Sequence, residues 1–430
     1  MGLFFRSISY FRFRFPGGND IFFHLSKIRD LNYPYSGEPE EMKFYPAWMH
    51  FFYHKMSKSL TRLSDYQIIR IHLVWDFLTA ILFWWWSSIL YEDIYVRISL
   101  TLLFLLTPML IKQAETFSPR SIGHFWLLIS LFFGFFGFPF GLIGVIGIIM
   151  TIQSHRLSSQ TLIVLCLMLG LFYNIIFLIN LIVGLVIGWV FLGNSFQMTL
   201  KSHYSFILKY AKGSHYPNRS FKSFIIVPQM IFAIPVSIQI IYFSMIKNGQ
   251  IKQLIFLNTN LTFIESLELL FALWFVIILL LVLFYPFGEA FRHGSLLTIP
   301  SSALLGIFLV RWKLEILLIP ILLVQIWIIL YILRNSPSNE TLIQMGEFIK
   351  SYTSEPVLCE GSSRRTIDYF TERVNNTLPS AEIQQEKLFQ IMNENKNRVL
   401  LLSSPINITS SEEVKMMKEW RLIRIDLQND

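Results

Sequence analysis

Residues 263–286, FIESLELLFALWFVIILLLVLFYP, decide the fold class of this 430-residue chain. From Leu269 to Phe284 the stretch carries no charged side chain and no polar face. A helix needs about 20 consecutive apolar residues to cross the hydrocarbon core of a bilayer. Similar runs recur between residues 71 and 333, so the sequence predicts an all-α polytopic membrane protein with about ten transmembrane helices.

The predicted spans differ in length. Several are shorter than the roughly 20 residues that a perpendicular helix needs, and the runs 122–152 and 161–193 each fit either one long tilted helix or two short helices. The predicted spans are 71–91, 98–111, 122–138, 139–152, 161–176, 177–193, 224–246, 263–286, 295–310 and 314–333.

Charge separates this apolar body from the last quarter of the chain. The whole chain is 53% hydrophobic and only 15% charged, whereas soluble domains carry about 25% charged residues. Residues 334–430 nevertheless hold 12 basic and 14 acidic residues, half of the 28 acidic side chains. The sequence therefore predicts an N-terminal amphipathic segment with a first polar loop (1–70), a transmembrane domain (71–333) and a small soluble α/β domain (334–430).

Apolar alternation and amphipathic periodicity predict short elements outside the membrane. In the first polar loop we expect helices over 19–31 and 46–60. In the C-terminal domain we expect helices over 339–352, 364–373, 381–395 and 410–417, and strands over 356–360, 398–404 and 420–427.

Charge distribution and motif content exclude several functions. The net charge is +8, but the basic residues lie between apolar runs, which favours membrane flanks over a nucleic-acid surface. The nine His and two Cys form no paired metal-ligand motif, and no phosphate-binding glycine loop or nucleophile motif is present. Cys166 and Cys359 give no disulfide framework. The expected surroundings are a lipid bilayer, without nucleic acid.

The first segment that could carry chemistry is GGNDIFFHLSKIRD, residues 17–30. Its two glycines permit a tight turn, Asp20 can begin the following helix, and His24 lies one turn later on the same face. One interpretation is a helix N-cap and nothing more. The other is a carboxylate held at the membrane surface, where it can deprotonate a hydroxyl group.

Two further polar segments lie at the ends of predicted spans. In SPRSIG (118–123), the side chain of Arg120 either extends to the lipid headgroups or faces a functional site. In FGEAFRH (287–293), Glu289 is spaced to pair with Arg292 or His293 within one helical turn. The alternative there is an anion site in which Arg292 holds a phosphate and Glu289 orients it. Asp76, near the start of a span, is a weaker candidate.

Read together, these segments resemble the integral-membrane glycosyltransferases of the C type, the group that includes protein mannosyltransferases and lipid A aminoarabinose transferases. The resemblance rests on their order and spacing across nearly the whole chain. The matching segments are GGNDIFFHLSKIRD (17–30), KFYPAWMHFF (43–52), TFSPRSIGHFWLL (116–128), YPFGEAFRHGSLLTIP (285–300) and the tail region 346–374.

The resemblance implies a sugar donor carried on a polyprenyl phosphate and a hydroxyl acceptor on a protein, lipid or glycan. Asp20 matches the acid of the first loop and would be the general base of an inverting transfer. Arg292 matches the late arginine and would stabilise the phosphate leaving group. The resemblance also implies substrate contacts from His24, Tyr45, His50, Arg120, Glu289 and His293.

The chain departs from the family pattern in three ways. The acidic pair of the first loop is Asn19-Asp20, the Tyr after the late arginine is His293, and only 15 residues precede Pro16, where the family has a membrane helix. These differences leave the acceptor class and a divalent cation as open questions.

The family places the first loop and the tail on the outer face, in a plasma, inner or endoplasmic-reticulum membrane. The five basic residues of 194–223 would instead place that loop, and with it the tail, on the cytoplasmic side. We prefer the family's orientation. The orientation derived from charge depends on the number of spans, and one miscounted short span would reverse it. Two further functions remain open: a lipid-linked sugar transporter or polymerase, and a non-catalytic membrane subunit of a larger assembly.

Overall fold

The computed structural model describes most of the membrane body and parts of the tail. The described residues are 2–12, 15, 20–32, 46, 48–59, 63–114, 117–212, 229–247, 262–284, 294–335, 339–360, 363–373, 375–378, 399–402, 411–417 and 420–425.

Helices account for most of these residues. The N-terminal half contains α1 (Gly2–Arg12), α2 (Asp20–Arg29), α3 (Trp48–Ser59), α4 (Asp65–Ile71), α5 (Leu73–Leu90), α6 (Ile94–Leu105), α7 (Pro108–Ala114), α8 (Arg120–Phe135), α9 (Gly141–Ser154), α10 (Arg156–Phe172) and α11 (Ile176–Lys212). It is followed by α12 (Met230–Lys247), α13 (Phe263–Phe284), a 3₁₀ turn (Gly294–Leu297), α14 (Thr298–Arg311), a 3₁₀ turn (Glu315–Leu317), α15 (Leu318–Arg334), α16 (Glu340–Tyr352) and α17 (Ser363–Thr371).

The length and apolar composition of these helices identify an integral membrane protein. Among the described residues, five helical segments are long and apolar enough to cross a bilayer, and five more are apolar but shorter. The count of about ten spans stays a prediction. The long segments are Asp65–Leu90, Ile176–Ser205, Phe263–Leu283, Gly294–Arg311 and Glu315–Arg334.

The structure resolves the two runs that fitted either one helix or two. The run 122–152 contains α8 and α9, and 161–193 contains the end of α10 and the start of α11. Helix α11 itself is kinked at Gly193, where φ is 53° and ψ is −130°. A residue with a Cβ rarely adopts that conformation, so glycine lets the helix change direction there.

One end of the helix bundle gathers elements that are far apart in sequence. A buried apolar cluster, which we call the docking cluster, joins α2, α3 and α4 to the start of α8 and to the C-terminal domain. Its buried members are Tyr10, Phe15, Ile21, Phe22, Leu25, Ile28, Met49, Tyr53, Ile68, Ile69, Phe117, Ile122, Ile343 and Tyr369. The end of α15 lies there too, because Arg12 at the end of α1 donates to the Leu333 carbonyl at 2.8 Å.

The described residues of the C-terminal domain form a five-stranded mixed sheet with the order β2-β1-β3-β5-β4. Strand β1 pairs in parallel with β2 and β3, whereas β5 pairs antiparallel with β3 and β4. The strands are β1 (Leu358–Glu360), β2 (Asn376–Leu378), β3 (Val399–Leu402), β4 (Ser411–Met417) and β5 (Trp420–Ile425).

One predicted element of this domain is wrong. Residues 410–417 were expected to be helical because Glu, Lys and Met favour helices, but Ser411–Met417 is strand β4, hydrogen-bonded along β5. Pairing with a neighbouring strand outweighs local propensity here. The helix predicted over 381–395 lies outside the described residues.

Candidate active site

Asp20 is the first residue of α2, at the end of the helix bundle where the docking cluster lies. A carboxylate in the first turn is stabilised by the helix dipole, and the basic residues Lys27 and Arg29 complement the other end of the helix. Most of α2 is buried, but the side chain of Asp20 is 55% exposed. Its carboxylate accepts from Nη1 of Arg365, a residue of α17 whose side chain is 30% exposed. The candidate base is therefore accessible and ion-paired.

Two buried histidines lie on α2 and α3. Nδ1 of His24 and Nε2 of His50 are 3.0 Å apart, and the two rings stack with centroids 5.2 Å apart. Burial, followed by the charges of Arg365, His72 and Arg120, lowers the pKa of His24 from 6.5 to about 3. Burial and the neighbouring His24 lower the pKa of His50 well below 6.5. Both rings are therefore neutral at pH 7, and one donates a hydrogen bond to the other.

Arg120 is the first residue of α8 and lies close enough to His24 for its charge to help lower the pKa of that ring. One turn later, Nε2 of His124 is 3.3 Å from the Ser295 hydroxyl, which joins α8 to the 3₁₀ turn before α14. Gly123 lies between them against the start of α10, where a Cβ would be 2.6 Å from Cβ of His155. Because only glycine permits this approach, the two helix ends pack in direct contact.

A second set of polar contacts connects α3 to the break between α4 and α5. The Tyr53 hydroxyl is 3.0 Å from Nδ1 of His72, and Nε2 of His72 is 2.8 Å from the Ser118 carbonyl. Nε1 of Trp75 donates to Tyr53 at 3.1 Å. These contacts hold Ser118 in place, immediately before Pro119 and Arg120. Asp76 lies in the first turn of α5, and after burial its charge helps to raise the pKa of Tyr53.

A polar group that the sequence analysis missed lies where α9 meets α10. Arg156 is buried and its Nη2 donates to the Ser202 hydroxyl at 2.9 Å. The buried amide groups of Gln160 have no hydrogen-bond partner among the described residues. The signal was present in QSHRLSSQ (153–160), a polar run between two apolar ones. A buried guanidinium is rare inside a membrane body, so Arg156 is a further candidate functional residue.

The structure thus brings together four of the predicted site residues, whose roles stay predictions. Asp20, His24, His50 and Arg120 lie around one end of the bundle. Among the described residues, no group of three or more His, Cys, Asp or Glu could hold a metal ion. Four predicted site residues lie outside the described residues: Tyr45, Glu289, Arg292 and His293.

Comparison with known proteins bears on the fold. No model of a known protein family matches the sequence, and no curated protein is significantly similar to it. The structure is similar to the crystal structure of ArnT from Cupriavidus metallidurans bound to undecaprenyl phosphate, with a TM-score of 0.60 and 11% sequence identity over 98% of this chain and 96% of that chain. The resemblance to the C-type group is therefore confirmed as a likeness of fold: the chain has the architecture of ArnT over nearly its whole length.

Proposed function

We propose that this protein is a membrane glycosyltransferase that moves a sugar from a polyprenyl phosphate to a hydroxyl group with inversion at the sugar carbon. The observation that carries the proposal is the likeness to ArnT over 98% of the chain, since the ArnT structure holds undecaprenyl phosphate. A lipid-borne phosphate would meet a hydroxyl where an apolar bundle ends in polar groups. The end that carries Asp20 and Arg120 has that character.

Asp20 is the general base in this proposal. Its carboxylate is more than half exposed at the end of the bundle, so an acceptor hydroxyl can reach it. The acceptor oxygen forms a bond to C1 of the sugar while the bond from C1 to the phosphate oxygen breaks. The hydroxyl proton passes to Asp20, and the bonding electron pair leaves with the polyprenyl phosphate. A positioned base of this kind contributes about 10²- to 10⁴-fold to the rate.

Cationic groups would stabilise the charge that develops on the leaving phosphate. Arg292 is proposed for that role, with Arg120 contributing to the same positive field. His24 and His50 are neutral at pH 7 because burial lowers the pKa of each, so they add no charge to the site. Tyr45, Glu289 and His293 are proposed as further substrate contacts.

The proposal assigns the three segments different tasks. Residues 1–70 and 334–430 would form the outer-face part of the site, and residues 71–333 would hold the lipid chain in the bilayer. The membrane would be a plasma or inner membrane, or the endoplasmic reticulum. The acceptor would be a protein, lipid or glycan hydroxyl.

The test uses the full chain in lipid vesicles with a panel of polyprenyl-phosphate sugars labelled in the sugar. We expect one donor to yield a glycosylated hydroxyl acceptor, one polyprenyl phosphate per sugar transferred, and a product of the opposite anomeric configuration. Movement of an intact donor across the vesicle membrane without sugar transfer would contradict the proposal and identify a transporter instead.

A further inference from the structure

The C-terminal domain is held against the first loop by aromatic rings. Phe22 of α2 packs against Tyr369 and Phe370 of α17, with ring centroids 5.2 and 5.4 Å apart. Phe15 contacts the same two rings at 5.9 and 6.0 Å. Buried aromatic pairs of this kind are each worth about 0.5–1.5 kcal/mol beyond the area they bury. They place the last turn of α17, which carries Tyr369 and Phe370, beside the first turn of α2.

A separate polar contact holds the same helix. Asp65 accepts from the Tyr369 hydroxyl and from Nη2 of Arg29. The Arg29 guanidinium also lies over the Tyr369 ring, 4.2 Å from its centroid. Helix α17 is therefore positioned by two sets of contacts that do not involve Arg365, so Arg365 is presented from a fixed support.

From this support Arg365 reaches the candidate base. Its Nη1 pairs with Asp20, its guanidinium lies 5.8 Å from the Phe23 ring centroid, and its charge acts on His24 together with that of Arg120. An ion pair between partly exposed side chains stabilises a protein by only about 0–1 kcal/mol. The pair can therefore separate at little cost when a better anion arrives, and a phosphate can accept two parallel hydrogen bonds from a guanidinium.

We propose that Arg365 of the C-terminal domain is a phosphate-binding residue of the active site, and that its guanidinium exchanges Asp20 for the phosphate of a lipid-borne substrate. The exchange leaves the Asp20 carboxylate without its cation and available to accept the hydroxyl proton. No covalent bond changes in this step. The inference rests on the proposed function, and it makes the C-terminal domain part of the site.

Binding of polyprenyl monophosphate to the full chain in nanodiscs tests the first half of the proposal. We expect Arg365→Gln to weaken binding about tenfold, as the loss of a charge-assisted hydrogen bond does, and Arg365→Lys to weaken it less. Binding of the uncharged polyprenol should not change. The matched control is Lys350→Gln, which removes a cation of the same domain that pairs with Glu372 at 2.8 Å. Thermal unfolding of each variant verifies that it is folded.

The exchange makes a second, independent prediction. Because Asp20 competes with the phosphate for Arg365, Asp20→Asn should bind polyprenyl monophosphate a few-fold more tightly than the wild type. That gain should vanish when Arg365 is already Gln. A gain that persists in the double variant, or no gain at all, would overturn the exchange.

Kinetics identify the source of the phosphate. A raised KM for the donor in Arg365→Gln would show that Arg365 binds the donor phosphate. A raised KM only for a phosphate-bearing acceptor lipid would show that Arg365 binds the acceptor. Wild-type binding and KM values in a folded Arg365→Gln protein would reject the inference and leave the proposed function intact. Failure of the wild type to bind polyprenyl monophosphate would instead reject both.

Discussion

Two polar regions of this protein are built from different chemistry. At the end of the bundle, Asp20 and Arg365 carry opposite charges beside two neutral imidazoles. Inside the bundle, Nε2 of Gln229 donates to the Thr107 hydroxyl at 2.7 Å and to the Ser302 hydroxyl at 3.2 Å, and Nε2 of Gln325 donates to Oε1 of Gln229 at 3.0 Å. We call these four residues the amide network.

The contrast shows where each kind of group is tolerated. All four residues of the amide network are fully buried, and an ion there would have to leave water at a large cost in free energy. Neutral hydrogen bonds between helices avoid that cost. The charged pair lies where its side chains remain partly exposed. We therefore expect substitutions at the bundle end to alter chemistry, and substitutions in the amide network to alter stability.

The largest expected effect is that of Asp20→Asn. The amide keeps the shape of the side chain but cannot take a proton from a hydroxyl, so the transfer rate should fall about 10²- to 10⁴-fold. The measurement is single-turnover transfer from a polyprenyl-phosphate sugar. The control is Asp30→Asn, an exposed carboxylate just after α2, which should retain full activity. Full activity in Asp20→Asn would show that another group is the base.

Gln229→Leu should sharpen the contrast from the other side. The change removes the donor to Thr107 and Ser302 and the acceptor of Gln325, so we expect a loss of about 1–3 kcal/mol of stability. Thermal unfolding in detergent measures the loss, and activity per folded molecule should be unchanged. Gln197→Leu, at an exposed position of α11, is the control. A Gln229→Leu protein that unfolds at the wild-type temperature but no longer transfers sugar would contradict the expectation that the amide network affects only stability.

A pH dependence follows from His24. Its pKa is about 3 in the folded protein against 6.5 when exposed, so the unfolded chain binds a proton in that interval and the folded protein does not. Stability should therefore be complete above pH 6.5 and fall as the pH decreases toward 3. In His24→Gln, the slope of the free energy of unfolding against pH in this interval should become shallower by the equivalent of about one proton. An unchanged slope in the variant would show that His24 is protonated in the folded protein.

The smallest effect is expected for Tyr369→Phe. The ring stays in the docking cluster, but the hydroxyl that bonds to Asp65 and accepts from Arg29 at 2.7 Å is lost. We expect docking of the C-terminal domain to weaken by about 1 kcal/mol. Hydrogen exchange of the α17 amides should become a few-fold faster. Exchange at the wild-type rate would mean that the aromatic contacts alone hold α17.

Local patterns predicted much of the architecture. The helices expected over 19–31 and 46–60 occur as α2 and α3, because capping signals and apolar spacing act within a few residues. Strand β4 was misread because SEEVKMM favours a helix until β5 is available as a partner. Strand β2, only three residues long, offered too little alternation to be recognised.

The partners of the site residues could not be read from the sequence. Asp20 and Arg365 are separated by 345 positions, and His24 and His50 by 26. No local periodicity links such residues, since packing of the C-terminal domain on α2 and of α3 on α2 brings them together. The motifs indicated that Asp20 and His24 were candidates, whereas Arg365 lies in a part of the tail that matched the family only as a domain.

The kink at Gly193 affects how the protein fits its bilayer. A straight helix of the 37 residues of α11 would be about 55 Å long at 1.5 Å per residue, whereas hydrocarbon cores are about 30 Å thick. The kink divides this length, so the residues before it can match the lipid thickness while Ser202, beyond it, contacts Arg156. Membranes of different thickness should then change the tilt of the first half of α11 without separating that contact.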